Sequence, residues 1–488
     1  MEQDNEIKES SGTDSSKATD INYRSFVEEP GEDDGENRKP KERNSIITTS
    51  FLITKSMIGS GLLHVPYHFK TLGIFISIGA SILFNLVTFL STYFLLRCKD
   101  ITQRYSYAVY SRMALGYIGN VSCKFAILIK SISLCCVYLK MLGNIIRTFL
   151  LIFFPTYSDK FFLDAKFLLL IFAVLITPLM VQKDISGIAK FTFLGIYSII
   201  YLFISLLILF IYKYNKDEIL PFEHKMFYPS GTKFELFKCF GSYLNAYFFQ
   251  VSIFPIYLPL HPRTTKNMMI STAIGTIFSS IIYISFGIIG FFIYRYDING
   301  TLLSYLGNDL INYVKTNKKM ALLLIIFEIA FIINTSISLA LNFFAAKSKC
   351  IGIAKSMIKK CQKKRYDESI SGTALESLDE SGYTIEKSHR KDSEEIILNE
   401  RSQIIITIFI YIITIVIAYY SENIIAIDNF NGSTVNNYLS AMLPALFFII
   451  LIKEFGSCFE KFIAVILILF STALIVGYFL FNFTNIFV

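Results

Sequence analysis

The first long apolar segment of the chain contains residue types that disfavour a continuous helix. Gly59, Ser60 and Gly61 follow one another, and Pro66 comes soon after. If this segment crosses a membrane, an interruption persists only where it lines a cavity or packs against protein. The backbone amides and carbonyls freed at such a break can bind a carboxylate and a cation. A second interpretation, in which the glycines only let helices pack closely, stays open at this stage.

Charged side chains inside apolar segments are further candidates for chemistry. Lys55 lies about nine residues into the first segment, or ~14 Å deep, which is too deep for its ammonium to reach the interface comfortably. An ionisable residue inside a membrane is costly and by default indicates a functional site. Glu328 is the only acidic residue well inside a predicted span. It is a candidate partner for one of the buried lysines, which are Lys55, Lys124, Lys130 and Lys140.

A second interrupted helix is predicted over residues 241–255. This segment combines Gly241, Asn245, Gln250 and Pro255 with several aromatic residues. It is the sixth predicted span and follows the first by five. That spacing is expected of two inverted repeats of five helices each, whose first helices are both broken.

The composition indicates that these segments belong to a membrane protein. The 488 residues are 53% hydrophobic and 17% charged, and the mean hydropathy is +0.51. A soluble protein of this length needs more charge to cover its surface. The charge crowds into the first 45 residues and into residues 347–401, which leaves apolar runs of about 18 to 25 residues, each long enough to cross a bilayer. The net charge of +8 lies in loops beside the spans and does not indicate nucleic-acid binding.

The sequence predicts an all-α polytopic membrane protein with about eleven transmembrane helices, arranged as a five-plus-five inverted repeat plus one helix. Residues 1–44 are predicted to be a disordered cytosolic tail, 45–346 to hold spans 1–8, and 403–488 to hold spans 9–11. Residues 347–402 are predicted to be a cytosolic loop, basic and then rich in Ser and Glu, and largely disordered. This loop is either a tolerated insertion or an electrostatic attachment to anionic lipid. The predicted spans are 46–68, 73–96, 120–152, 166–182, 190–212, 236–258, 268–294, 319–345, 403–420, 438–453 and 462–484.

The distribution of Lys and Arg predicts a cytosolic N-terminus and an extracellular or luminal C-terminus. The glycosylation sequons at Asn299 and Asn431 then fall in outer loops, as N-glycosylation requires. The eight cysteines have no metal-ligand spacing, so neither a metal site nor a disulfide framework is expected. No nucleotide-binding loop precedes a helix, and no catalytic constellation is apparent, so neither an ATP-driven pump nor an enzyme is predicted.

Four stretches of the sequence resemble one family. Residues 55–66 resemble the opening signature of the amino acid/auxin permease family, part of the LeuT-fold (APC) superfamily. Further matches, in the correct order, are residues 178–190, 241–257 and 263–266. The resemblance extends from about residue 45 to the end of the eighth span and continues weakly to the C-terminus. It implies a secondary transporter of amino acids that works by alternating access, without a cofactor.

The position of Lys55 in this signature separates two patterns within the family. Sodium-coupled members carry an Asn there, which supplies an oxygen ligand to sodium, whereas the proton-coupled amino acid transporters are similar to this chain. An ammonium placed where the sodium would sit supplies the same charge without the ion. The resemblance therefore implies sodium-independent transport, either proton-coupled symport or facilitative transport. The implied coupling site comprises Lys55, Thr335, Ser336, Ser338 and Glu328.

The resemblance also implies a substrate site at the two interrupted helices. The carboxylate of an amino acid would meet the backbone amides of Ser60, Gly61 and Leu62. Its amino group would meet carbonyls near Ile58 and in residues 245–248, and side-chain selectivity would come from the third and sixth spans. The implied substrate-binding set is Ile58, Gly59, Ser60, Gly61, Leu62, Tyr138, Asn245, Tyr247, Phe248 and Gln250.

Two other functions stay open from the sequence. The protein could be a nutrient sensor that binds an amino acid and signals through its polar tail and loop. It could also carry a non-amino-acid amine or a drug-like cation in the same pocket. A plasma membrane and an acidic vacuolar or lysosomal membrane are both compatible with the sequence.

Overall fold

A computed structural model describes residues 44–157, 160–181, 192–219, 221–373, 399–421 and 424–484. Within these ranges the chain is almost entirely helical, with one isolated β-bridge between Asn44 and Leu260. Eight of the described helices are long and apolar enough to cross a membrane, which confirms the all-α polytopic class. The count of eleven spans stays a prediction. The tail over residues 1–43, the family motif over 182–190 and the acidic loop over 374–398 lie outside the described residues.

The helices are numbered here in chain order. The first half of the chain contains α1 (Ile46–Met57), α2 (Val65–Thr102), α3 (Tyr107–Phe153), α4 (Ala165–Val181), α5 (Thr192–Asn215), α6 (Lys233–Ala246) and α7 (Ile253–Tyr257). The second half contains α8 (Thr265–Tyr294), α9 (Leu302–Thr316), α10 (Lys318–Thr373), α11 (Glu400–Tyr420), α12 (Ile424–Phe430), α13 (Leu443–Leu451) and α14 (Cys458–Thr484). Short 3₁₀ turns at Ser60–His64 and Gln250–Ser252 follow α1 and α6.

Local sequence explains where the two interrupted helices begin. Ser45 caps α1, because its hydroxyl accepts a hydrogen bond from the Thr48 amide at 3.2 Å. Thr232 and Glu235 form a capping box at the start of α6, in which each side chain bonds the other residue's backbone amide. Both helices therefore start at defined residues and end at the predicted interruptions.

The boundary between the first two predicted spans is present in the structure as a kink. The first interruption lies at residues 58–59, and the following 3₁₀ turn leads into α2, which continues to Thr102. Gly73, where the second span is predicted to start, is the non-helical residue at which two helical segments meet within α2, with φ of +74°. A Cβ at this position would lie 2.5 Å from the Tyr228 carbonyl, so only glycine fits.

One predicted span starts earlier in the structure, and one predicted loop begins as helix. The helical segment Ile424–Leu451 begins well before the predicted start at residue 438 and includes two π-helical stretches. Its polar residues are typical of a loop, but they are buried where the segment packs on α6. In addition, α10 continues to Thr373, so the basic cluster that starts at Lys347 lies on a helix, while residues 374–398 of the predicted loop lie outside the described residues.

Three helix pairs position the interruptions. α2 packs along α8, α3 packs along α10, and α1 crosses α8 closely at Gly275, where a Cβ would lie 2.8 Å from the Ser50 carbonyl oxygen. α6 packs on the π-helical stretch Asn431–Asn436. A Cβ on Gly432 would lie only 1.9 Å from the Gly241 carbonyl oxygen, so these two backbones are in direct contact.

Candidate functional site

The first interruption separates α1 from the 3₁₀ turn that precedes α2. Ile58 is extended, with φ of −77° and ψ of 105°, and Gly59 has φ of −137° and ψ of −140°. A Cβ on Gly59 would lie 3.3 Å from the Tyr138 hydroxyl oxygen, which brings α3 against this backbone. The predicted proximity of Tyr138 to the first break is therefore present in the structure.

The second interruption lies between α6 and α7. The backbone leaves the helical conformation at Tyr247 and Phe249, and the Thr88 hydroxyl donates a hydrogen bond to the Tyr247 carbonyl at 3.1 Å. The Tyr247 side chain is 1% exposed, and its hydroxyl donates to Ser280 at 2.9 Å. Phe248 is also buried. Two of the three aromatic residues of the predicted set, Tyr247 and Phe248, therefore lie inside the protein at the second break.

Gln250 supports the second break and does not present its amide to a substrate. Its side-chain oxygen accepts a hydrogen bond from the Phe249 amide at 3.0 Å, and its side-chain nitrogen donates to Ser91 at 3.0 Å. The side chain is fully buried. Because both ends of the amide are engaged by protein, we reassign Gln250 from substrate contact to the support of the backbone.

A single tyrosine joins the two interruptions. The Tyr283 hydroxyl of α8 lies 2.9 Å from the Met57 carbonyl oxygen and 2.9 Å from the Ala246 carbonyl oxygen. These carbonyls are the orphan acceptors at the ends of α1 and α6. Gly61 completes the contact, because a Cβ there would lie 3.3 Å from the Ala246 Cβ. The sequence analysis missed Tyr283, which lies in a regular apolar helix with no local signal.

The predicted coupling lysine contacts α10 through an amide. The Lys55 ammonium donates a hydrogen bond to Asn334 Oδ1 at 2.8 Å. Gly195 of α5 makes room for this contact, since a Cβ there would lie 2.4 Å from Lys55 Nζ. The expected hydroxyl neighbours Thr335, Ser336 and Ser338 follow Asn334 on the same helix, but the contact is made by the residue just before them.

Glu328 does not pair with a lysine in the described part of the chain. Its side chain is 1% exposed, and one carboxyl oxygen has no hydrogen-bond partner among the described residues. Lys140 instead donates to the Ser421 hydroxyl at 3.1 Å. The ammonium of Lys130 lies 4.7 Å from the centroid of the Phe248 ring at the second break. No ion pair between Glu328 and a lysine is present among the described residues, and its role as a partner stays a prediction.

The space at the first break is small in this conformation. A cavity of about 10 Å³, room for roughly one water molecule, is lined by the first break, α5 and α10. Its lining residues are Ile58, Gly59, Leu62, Leu63, Ser198, Ile199, Leu202, Phe331 and Asn334. An amino acid does not fit there, so the helices must separate before a substrate of that size can enter.

A buried polar cluster ties the breaks to α12 and the π-helical stretch after it. His64 Nδ1 lies 2.7 Å from Asp428 Oδ2, and each side chain is 1% exposed. Asn245, near the end of α6, donates to Asp428 Oδ1 at 3.3 Å and accepts from Asn436 at 2.5 Å. Ser242 donates to Asn429 in the same cluster. The Asn245 side chain thus joins α6 to Asp428 and Asn436, while the binding of a substrate by its backbone carbonyl stays a prediction.

A second cluster lies near the other end of α2. Lys99 Nζ is 2.6 Å from the Asp100 carboxylate and donates to the Tyr257 and Thr265 hydroxyls at 3.0 and 3.1 Å. Beside it, the Asn44 amide donates to the Pro259 carbonyl at 2.8 Å. The bundle is therefore tied together by hydrogen bonds on both sides of the two interruptions.

The two glycosylation sequons have opposite environments. Asn299 is exposed after α8. Asn431 is fully buried in a helical segment that can cross the membrane, where a glycosyltransferase has no access. The structure contradicts the prediction for Asn431. Within the described residues, no group of three or more His, Cys, Asp or Glu could hold a metal ion.

Comparison with known proteins gives related sequences and folds. The model of the family described as transmembrane amino acid transporter protein matches residues 42–484. The chain is similar to sodium-coupled neutral amino acid transporter 7 of Xenopus laevis, with 23% identity over 269 residues, 53% of this chain and 58% of that protein. It is also similar to putative amino acid transporter AAT1 of Plasmodium berghei, with 27% identity over 330 residues, 65% of this chain and 48% of that protein. The chain thus spans about half the length of the curated relatives it matches.

Two solved transporters have partly similar folds. Mhp1, a nucleobase-cation-symport-1 family transporter in a closed conformation, has a TM-score of 0.48 and 10% identity, covering 83% of this chain and 78% of that chain. A sodium-coupled sialic acid symporter in a substrate-bound outward-open state has a TM-score of 0.46 and 13% identity, covering 87% and 88%.

Proposed function

The chain belongs to the transmembrane amino acid transporter family, and on that premise we propose that it carries amino acids across a membrane by alternating access without sodium. The observation that carries this proposal is the pair of interrupted helices that meet at the Tyr283 hydroxyl, 2.9 Å from a carbonyl of each. Two broken helices that face each other inside a bundle offer backbone donors and acceptors to a zwitterion.

The substrate is proposed to bind across both breaks. Its carboxylate meets the amides of Ser60, Gly61 and Leu62, where the backbone leaves regular helical geometry. Its ammonium meets carbonyls at the first break and at the end of α6, with Tyr138 and Phe248 beside them. In the occluded conformation the cavity measures about 10 Å³, which is too small for an amino acid. Binding therefore requires the helices to part and then to close again around the substrate.

Sodium independence is proposed from the environment of Lys55. Its ammonium lies 2.8 Å from Asn334 Oδ1 and touches the bare backbone at Gly195. A cation bound there would meet an ammonium instead of an open set of oxygen ligands, and two like charges at about 4 Å repel by roughly 4 kcal/mol at an effective dielectric constant of 20. Transport is then coupled to protons or is facilitative.

The charge near the breaks disfavours the organic-cation alternative. In the described part of the chain, neither Lys55 nor Lys130 has a carboxylate within 4 Å. Lys130 lies over the Phe248 ring at the second break. A substrate with a carboxylate compensates these ammonium groups, whereas a cationic amine adds to them.

The orientation proposed with this function has the N-terminus in the cytosol. Asn299, exposed after α8, then lies on the extracellular or luminal side and is a proposed glycosylation site. The plasma membrane and an acidic vacuolar or lysosomal membrane both suit a proton-linked carrier.

The test is uptake of labelled amino acids into proteoliposomes in sodium-free buffer, with and without an inward proton gradient. We expect uptake that needs no sodium, and we expect Lys55→Asn to slow it or to make it respond to sodium. Lys140→Met removes another half-buried lysine of the bundle and serves as the matched control.

Three results would contradict parts of the proposal. Uptake only in the presence of sodium contradicts the coupling argument. Normal sodium-independent uptake by Lys55→Asn makes Lys55 a bystander. Binding of an amino acid without exchange of label identifies a sensor and not a carrier.

A further inference from the structure

The buried pair of His64 and Asp428 is not used by the site proposed above. His64 Nδ1 is 2.7 Å from Asp428 Oδ2, although the atoms are not aligned as a hydrogen bond, and both side chains are 1% exposed. His64 Nε2 has no hydrogen-bond partner among the described residues. Besides its contact with His64, Asp428 accepts a hydrogen bond from the neutral Asn245 side-chain amide at 3.3 Å.

Electrostatics favours a buried pair that holds one proton, because the pair is then neutral overall. A bare carboxylate in a dry site loses its hydration, and an amide dipole does not replace that loss. The contact is stable either as imidazolium and carboxylate or as imidazole and carboxylic acid, and both forms contain the same single dissociable proton. Loss of that proton leaves Asp428 as an uncompensated charge.

The ionisable groups on the surrounding helices do not supply a substitute charge. Among the described residues, no other ammonium or guanidinium lies within 4 Å of Asp428, and no other carboxylate lies within 4 Å of His64. Lys140 of α3 donates to Ser421, and Asp309 of α9 is 2.8 Å from Lys213. Other ionisable side chains on the packed elements include His68 of α2, Tyr243 of α6 and Tyr283 of α8.

The surroundings of the pair also change when the two interrupted helices move relative to α12. His64 ends the 3₁₀ turn that begins at the first break, and Asn245 is the second-last residue of α6 before the second break. Both contact Asp428, so separation of either half-helix from α12 opens the pair to water.

We propose that the His64–Asp428 pair is a proton-binding site whose occupancy is linked to closure of the two interrupted helices. The inference rests on the proposed function in one respect, namely that opening and closing of the interrupted helices carries substrate across the membrane. The proton comes from water on the open side. No covalent bond between heavy atoms forms or breaks when it binds. Its binding favours the occluded conformation, which makes the pair the coupling site for a proton gradient.

The first experiment measures uptake by wild type, Asp428→Asn and His64→Gln in sodium-free proteoliposomes. A gradient of two pH units can drive up to about a hundredfold accumulation with one proton per substrate. We expect Asp428→Asn to lose this stimulation while counterflow exchange at equal pH stays within about threefold of wild type. Asp309→Asn, which removes a carboxylate from the partly exposed pair with Lys213, should keep the stimulation.

The second experiment is independent of transport. A thiol-reactive dye that labels the buried cysteines reports unfolding of the detergent-solubilised protein, and the midpoint is measured from pH 6.5 to 8. The folded pair keeps a proton that the unfolded chain releases, so stability should fall as pH rises, by about 1–2 °C per pH unit. Asp428→Asn should flatten this slope, and His68→Gln, the neighbouring buried histidine, should not.

The outcomes separate the inference from the proposed function. A wild type that unfolds with a pH-dependent slope but exchanges no amino acid supports the proton site and overturns the transport function. The proton site is overturned if the proton gradient stimulates uptake by Asp428→Asn as fully as uptake by wild type. It is also overturned if Glu328→Gln is the one variant that loses this stimulation. If Asp428→Asn does not fold, the double variant His64→Gln/Asp428→Asn replaces the pair with two neutral amides. A wild-type midpoint that does not change with pH overturns the inference without any variant.

Discussion

Tyr283→Phe is the sharpest test of the contact between the two interrupted helices. The substitution removes one hydroxyl and leaves the ring, which is fully buried, in place. The hydroxyl lies 2.9 Å from the last carbonyls of α1 and α6, and its one proton is donated to either of them. Because these carbonyls have no helical partner, the variant leaves a buried acceptor unsatisfied at the junction of the two breaks.

The expected magnitude follows from the hydrogen bond and the buried acceptor. Losing the bond costs about 0.5–1.5 kcal/mol, and a buried acceptor without a partner costs about 1–3 kcal/mol, so we expect about 2 kcal/mol less stability. With an unfolding entropy of about 2.1 cal/mol/K per residue, this lowers the unfolding midpoint of 488 residues by roughly 2 °C. If the contact exists only in the occluded conformation, the same free energy slows exchange about thirtyfold.

The assay compares amino acid counterflow and dye-reported unfolding for wild type, Tyr283→Phe and Tyr294→Phe. Tyr294 lies on the same helix, and its hydroxyl donates to Asp309 at 2.6 Å, away from the breaks. Tyr294→Phe should lower the midpoint without slowing exchange. Exchange by Tyr283→Phe within about twofold of wild type would refute the role of this hydroxyl in joining the half-helices.

Three further predictions test other contacts. Gly432→Ala places a Cβ 1.9 Å from a backbone carbonyl of α6, so it should abolish folded protein in size-exclusion chromatography, whereas Gly352→Ala, with open space around it, should not. Lys130→Met removes an ammonium beside the second break, so acidic amino acids should compete about tenfold less well against neutral ones in uptake assays. Asn299→Gln should remove a glycan-dependent gel shift that Asn431→Gln leaves unchanged, because Asn431 is fully buried.

Local sequence was sufficient to identify the class of protein and the two interruptions. Long apolar runs have one stable conformation in a bilayer, so the helical class follows from length and hydropathy alone. Gly59 and Gly61 weaken a helix through their own backbone freedom, and the polar run after Gly241 does so at the second site. These signals are contained within about one helical turn and need no knowledge of neighbouring helices.

Which side chains meet at the two breaks depends on the tertiary structure. Tyr283 and Asn334 lie in regular helices. The Tyr283 hydroxyl contacts carbonyls 226 and 37 residues away in the chain, and Asn334 accepts from a lysine 279 residues away. The sequon and the distribution of Lys and Arg predict an outer loop at Asn431, yet this segment packs on α6 and the side chain is buried. The sequence shows that a residue is polar, but the packing of distant helices determines which group forms a hydrogen bond with it.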